Sequence, residues 1–143
     1  MSKVFIDTNI LVYSLDQADP TKQKTARSIL RSLQNDDGDV GVISTQVLQE
    51  FYVVCTAKLK VDPLLAKGIV RSLTGFETVD ITPQLILDSI DCSILYQLSF
   101  WDSLIVTTAA AAQCDRILTE DLSHGQVISG VRIENPFVQS NPA

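Results

Sequence analysis

Histidine occurs once in this sequence, as His124, and cysteine three times, at Cys55, Cys92 and Cys114. His124 stands beside Gly125 in a predicted loop and reads as a solvated polar residue. The cysteines are odd in number and widely spaced, form no C-x-x-C pair, and read as small buried hydrophobes. A zinc site therefore has almost nothing to draw on, and no serine–histidine pair offers a nucleophile with its base. Basic residues are also few: 11 Lys and Arg against 17 Asp and Glu leave a net charge of -6. That argues against a protein holding nucleic acid through a broadly basic surface. It does not exclude a nuclease, because acids gathered around a divalent cation make a chain acidic while the loaded site still attracts phosphate. Long apolar runs are missing too. Leu104 to Ala112 includes two threonines and falls far short of the roughly 20 residues of a membrane span. Only Met1, Ser2 and Lys3 precede the first apolar run, so no signal peptide is read. A soluble, cytoplasmic protein with no membrane association is expected.

What is present is a core. With 45% hydrophobic residues over 143 positions, the chain is read as one domain, residues 1–143. Strand-like runs alternate with longer helical stretches, which predicts an α/β domain around a largely parallel sheet. Residues 3 to 6 read as a first strand. Asp19-Pro20 opens a helix through Leu33, before an Asn35-Asp36-Asp37-Gly38 turn. Val40 to Ile43 is a second strand, after which Ser44 or Thr45 caps a helix with Val47, Leu48, Phe51, Val54 and Cys55 at helical spacing. Asp62-Pro63 and Thr82-Pro83 repeat the cap-plus-proline signal, with a strand between them over Phe76 to Ile81. A further helix is predicted from Asp102 to about Gln113, then a short buried strand, Arg116 to Leu118, and an edge strand, Val131 to Ile133, ended by Pro136.

Most acids fall in turns or on polar helix faces, where solvation accounts for them. Asp7, Glu50, Asp102 and Asp121 fall elsewhere. Asp7 ends the first strand and Asp121 follows the Arg116 to Leu118 strand, and open α/β sheets bind ligands at the carboxyl ends of strands. Glu50 lies inside an apolar helix and Asp102 between Phe100-Trp101 and Leu104-Ile105-Val106, each costly to bury unless paired. Each has an ordinary alternative: Asp7 or Asn9 as a turn cap, Glu50 on a polar helix side, Asp102 as an N-cap, Asp121 as a loop acid. No lysine or arginine adjoins Asp7, Glu50 or Asp102, and Arg116 is a strand away from Asp121. A divalent cation is the economical partner, and oxygen ligands without histidine or thiolate favour Mg²⁺ or Mn²⁺. If the acids converge, their mutual repulsion without metal should raise at least one carboxyl pKa.

The segments around these acids carry a resemblance. Val4-Phe5-Ile6-Asp7-Thr8-Asn9-Ile10-Leu11-Val12-Tyr13, Gln46-Val47-Leu48-Gln49-Glu50-Phe51, Phe100-Trp101-Asp102-Ser103-Leu104-Ile105 and Leu118-Thr119-Glu120-Asp121-Leu122 resemble, in order, the acidic motifs of PIN-domain ribonucleases of the VapC toxin type. The resemblance implies a three-layer α/β/α sandwich and a Mg²⁺- or Mn²⁺-dependent endoribonuclease, commonly the toxin of a toxin–antitoxin pair. It implies that Asp7, Glu50, Asp102 and Asp121 bind metal and orient the attacking water, with Asn9 and Thr119 supporting them by hydrogen bonds. RNA would be the substrate, a small basic antitoxin a partner, and a homodimer the assembly. Lys22, Lys24, Arg27 and Arg31 on one side, and Lys58, Lys60, Lys67 and Arg71 on the other, are candidate banks of an RNA groove or simply solvated faces.

Two related chemistries fit less well. A phosphate-accepting receiver domain needs a lysine after a late strand, and Thr119 to Gly125 has none. A haloacid-dehalogenase-like phosphatase needs an acid two positions after the nucleophile, where this chain has Asn9. The remaining alternative is a non-catalytic interaction module whose acidic cleft receives a basic peptide.

Overall fold

A computed structural model describes residues 2–34 and 38–138. The turn expected at Asn35-Asp36-Asp37 lies outside the described residues. Strands β1 (Lys3–Ile6), β2 (Val40–Ser44), β3 (Glu77–Val79), β4 (Arg116–Leu118), β5 (Val127–Ile128) and β6 (Val131–Glu134) form a sheet of order β3-β2-β1-β4-β6-β5. All neighbours run parallel except β5 and β6. Val4, Phe5 and Ile6 are fully buried although successive strand residues face opposite sides, so both faces of the sheet are covered, as an α/β/α sandwich requires.

The helices are α1 (Thr8–Tyr13), α2 (Pro20–Leu33), α3 (Thr45–Ala57), α4 (Pro63–Leu73), α5 (Pro83–Tyr96) and α6 (Phe100–Ala111). Where local chemistry is strong, they begin where the sequence predicts. Asp19, Asp62 and Thr82 each accept backbone N–H bonds at the start of α2, α4 and α5, with proline next. Ser44 rather than Thr45 caps α3, its hydroxyl accepting from Val47 N. Among the described residues, no helix is long and apolar enough to cross a membrane.

Four features depart from expectation. Helix α1 was not predicted: Thr8–Tyr13 is rich in β-branched and aromatic residues, and the Asp7 cap plus packing on α2 and α3 override that preference. Helix α6 begins at Phe100 behind Ser99, whose hydroxyl accepts from Asp102 N, so Asp102 is its third residue and not its cap. Strand β6 is not an edge strand. It lies between β4 and β5, because a hairpin through Ser129 and Gly130, with φ of 52° and 79°, adds β5 outside it. The strand expected over Phe76 to Ile81 contracts to Glu77–Val79.

Candidate active site

The parallel pairing of β1 with β4 sets Ile6 opposite Leu118, so the next residues, Asp7 and Thr119, meet at the carboxyl ends of adjacent strands. Asp7 N donates to Leu118 O at 3.0 Å. The buried Asp7 carboxylate accepts from Thr8 N at 2.7 Å and from Thr119 Oγ1 at 2.7 Å. Asn9 Nδ2 reaches Asp7 Oδ2 at 3.4 Å, Thr119 Oγ1 at 3.3 Å and Asp121 Oδ2 at 3.2 Å. Thr119 Oγ1 also accepts from Asp121 N at 3.0 Å. One hydroxyl and one amide thus tie the acids of two strand ends together.

Glu50 enters from α3, which springs from the carboxyl end of β2. Two residues that sequence reasoning passed over fix its carboxylate: Gln46 Nε2 donates to Oε1 at 2.6 Å and Thr8 Oγ1 to Oε2 at 3.4 Å. Both were findable, Gln46 as the same-face neighbour one helical turn before Glu50 and Thr8 as the residue after Asp7. Gln46 Nε2 also approaches Trp101 O at 3.4 Å, linking α3 to the first turn of α6.

Glu50, Asp102 and Asp121 line a cavity of about 570 Å³ with Gln46, Gln49, Val53, Val54 and Trp101. Asp7, Asn9, Glu50 and Asp121 line a second, of about 220 Å³, with Val54 and Lys58 among its walls. The hollows share Glu50, Val54 and Asp121, so the acids singled out in the sequence border one depression.

Burial is the leading cause that raises the Asp7 pKa from 3.8 to about 7, against the donors Thr119 and Thr8, with the charges of Asp121 and Glu50 adding last. Asp121 is also raised, first by desolvation and then by the charges of Asp102 and Glu120, with the Asn9 bond opposing. Raised carboxyls were expected from mutual repulsion; desolvation instead comes first. Arg116 offers no relief, since it pairs with Asp39 at 3.2 Å and Glu134 at 3.1 Å.

These residues fit a hard divalent cation. Their donors are oxygens throughout, and among the described residues Asp7 is buried without a basic partner and Asn9 Oδ1 is a buried acceptor with no donor. The fit is to an open set: among the described residues no three His, Cys, Asp or Glu side chains stand close enough to cage an ion. Glu50 is held on the α3 side of the set by its 2.6 Å bond from Gln46 Nε2.

The candidate basic banks are only partly available. Lys22 Nζ is bound to Glu120 at 2.9 Å and Tyr13 Oη at 3.2 Å, and Arg27 Nε donates to Ser14 O at 2.8 Å. Lys58 alone of the second bank lines the acidic hollow. His124 lies in an exposed loop, where Nδ1 accepts from Asn135 N at 3.0 Å. The three thiols are free and buried.

Thr119→Val tests the tie between the strand ends. It keeps the volume but removes Asp7's 2.7 Å donor and the acceptor for Asn9 and Asp121 N. A buried polar group left unpaired costs about 1–3 kcal/mol, so the melting temperature should drop by several degrees. An unchanged melt would show the hydroxyl to be dispensable.

A PIN domain family model matches residues 4–127, a span that includes Asp7, Glu50, Asp102 and Asp121. Several solved structures share the fold. One is VapC20 of Mycobacterium tuberculosis, described as a sarcin-ricin loop cleaving toxin, at 14% identity and a TM-score of 0.66 over 82% of this chain and 89% of that one. A toxin–antitoxin complex from Klebsiella pneumoniae has 20% identity and a TM-score of 0.68 over 94% and 98% of the two chains. VapBC2 from Rickettsia felis, bound to a DNA fragment from its promoter, has 18% identity and a TM-score of 0.63 over 93% and 98%. At these identities the likeness is one of fold. No curated protein matches the chain by sequence.

Proposed function

The chain belongs to the PIN-domain family, and from that premise we propose that it is a divalent-metal-dependent endoribonuclease and the toxin of a toxin–antitoxin pair, acting in the cytoplasm. The observation that carries the reading is the buried Asp7 carboxyl, without a basic partner among the described residues, at strand ends bordered by Glu50, Asp102 and Asp121. Bound at these acids, Mg²⁺ or Mn²⁺ would supply a Lewis acid for the phosphodiester and a water ionised near neutral pH. The chain's own part is positional. Thr119 and Thr8 hold the Asp7 oxygens, Gln46 and Thr8 hold Glu50, and Asn9 bridges Asp7 to Asp121. Asp102 faces the same cavity from the first turn of α6, where the helix N-terminus favours its negative charge.

RNA is the substrate in this reading and a small basic antitoxin the regulatory partner, as in the toxin–antitoxin complexes that share the fold. A homodimer is proposed as well. Ile86, Leu87, Ile90, Ile94 and Leu95 of α5 are exposed, and a contiguous apolar helix face marks an interaction surface.

The purified protein should cut single-stranded RNA with Mg²⁺ or Mn²⁺ and stop on addition of chelator. Activity that survives exhaustive chelation, or that is lost on replacing His124 but not Asp7, overturns the metal mechanism. RNA left intact with metal present would point instead to an acidic cleft that binds a basic peptide without chemistry.

A further inference from the structure

The larger cavity is only half acidic. Opposite in character to Glu50, Asp102 and Asp121 are Trp101, Val53 and Val54, and the first two are 63% and 60% exposed. Trp101 is the only tryptophan in the chain, the second residue of α6 and the immediate neighbour of Asp102. Its indole is steadied edge-on by Phe100, with ring centroids 5.1 Å apart at 78°, and its carbonyl is approached by Gln46 Nε2. A large aromatic surface left in water beside a candidate catalytic acid is unfavourable by itself and favourable only when something covers it.

A second, independent feature of the same wall asks for a ligand. Gln46 is 4% exposed, and its Nε2 is committed to Glu50 and the Trp101 carbonyl. The negative carboxylate fixes the amide's orientation, because Nε2 must face it. Oε1 is then a buried acceptor with no donor anywhere in the protein's described residues. Gln46 is also one of the residues that line the cavity beside Trp101, so an occupant of the cavity comes closest to supplying the missing donor.

We propose that this cavity is a nucleobase slot, in which Trp101 stacks on the base of a nucleotide flanking the cleaved phosphate and Gln46 Oε1 accepts an N–H from that base's edge. The proposal rests on the ribonuclease reading of the adjoining acids and names which part of the RNA the site grips. The slot's chemistry is matched to a base: an aromatic and aliphatic surface for the ring, an acceptor for its edge, and a floor shared with the acids where the phosphate must lie. Its volume of about 570 Å³ accommodates one nucleotide. Stacking on an aromatic side chain tolerates any base, since every base has a π-face.

Because Trp101 is the sole tryptophan, its fluorescence reports on the slot directly. The intact protein is titrated with adenosine monophosphate and, separately, with ribose 5-phosphate, both in Mg²⁺. The nucleotide should quench the emission and the base-free sugar phosphate should not. In parallel, RNA cleavage by Trp101→Ala and Trp101→Phe is compared with wild type. Loss of a stack made equally in ground and transition states should raise KM about tenfold in the alanine variant, change kcat little, and be largely restored by phenylalanine. Equal quenching by the two ligands, or none by either, overturns the slot, as does an unchanged KM in Trp101→Ala; the last result would leave Trp101 to a protein partner. The two readings fail separately. RNA cleavage without base-dependent quenching removes the slot and keeps the nuclease, whereas base-dependent quenching by a protein that cuts no RNA removes the nuclease and keeps the slot. Should Trp101→Ala fail to fold, the titration of wild type still decides.

Discussion

Asp7→Asn is expected to abolish RNA cleavage while making the metal-free protein harder to melt at pH 8. The wild-type carboxyl titrates near 3.8 when unfolded and at about 7 in its buried site. A carboxyl raised on folding contributes stability that is fully present below the unfolded value and is lost as pH rises through the folded one. Between pH 4 and pH 8 metal-free wild type should therefore lose stability through this group, on the order of a few kcal/mol. Asparagine carries no charge and loses none of this. It keeps the acceptor for Thr8 N, but its amide nitrogen replaces the oxygen that accepts from Thr119 Oγ1 and Asn9 Nδ2, which costs about 1–3 kcal/mol at every pH. Thermal melts in chelator should show Asp7→Asn above wild type at pH 8 and level with or below it at pH 5. Parallel pH dependence in the two proteins would mean that Asp7 is not the strained acid. Adding Mn²⁺ at pH 8 should raise the wild-type melt and narrow the gap, because an ion that binds only the native state stabilises it by mass action.

The second large effect is at Asp102. Asp102→Asn should also eliminate cleavage, yet leave the metal-free melt within a few tenths of a kcal/mol of wild type. Its backbone N–H, not its side chain, takes part in the cap with Ser99 Oγ, so α6 begins as before. The favourable interaction of a carboxylate with the helix N-terminus is lost, worth about 0.3–1 kcal/mol at a surface position, while the repulsion between Asp102 and Asp121 is relieved, so the two nearly offset. The stabilisation by Mn²⁺ should shrink if Asp102 is a ligand. An active Asp102→Asn protein with an undiminished Mn²⁺ shift would remove this acid from the site.

The cap-plus-proline pairs at Asp19, Asp62 and Thr82 and the apolar strands β1, β2 and β4 were legible because their signals are local: a side chain answering backbone N–H groups nearby, or a run of buried residues. Helix α1 was illegible for the opposite reason. Four of its six residues, Thr8, Ile10, Val12 and Tyr13, are β-branched or aromatic and disfavour a helix, so the Asp7 cap needs the contacts with α2 and α3 to decide the matter. Strand β5 has two residues, too few for a period. The position of β6 inside the sheet follows from which strand its hairpin partner joins, and composition does not record that.

The sequence by itself determined the chemistry on offer: oxygen donors without histidine or reactive thiol, acids placed where apolar runs end, and motifs in the order of the PIN-domain family. Tertiary structure decided what those acids experience. Parallel pairing of β1 with β4 buries Asp7 against Thr119, which makes desolvation the first cause of its raised pKa. The capping of α6 by Ser99 frees the Asp102 carboxylate for the cavity, and the approach of the first turns of α3 and α6 brings Gln46 to the Trp101 carbonyl. Charge and donor type belong to residues and survive in any conformation. Burial, register and the meeting of side chains dozens of positions apart belong to the packed sheet, because the solvent each group loses is set by neighbours that only the fold supplies.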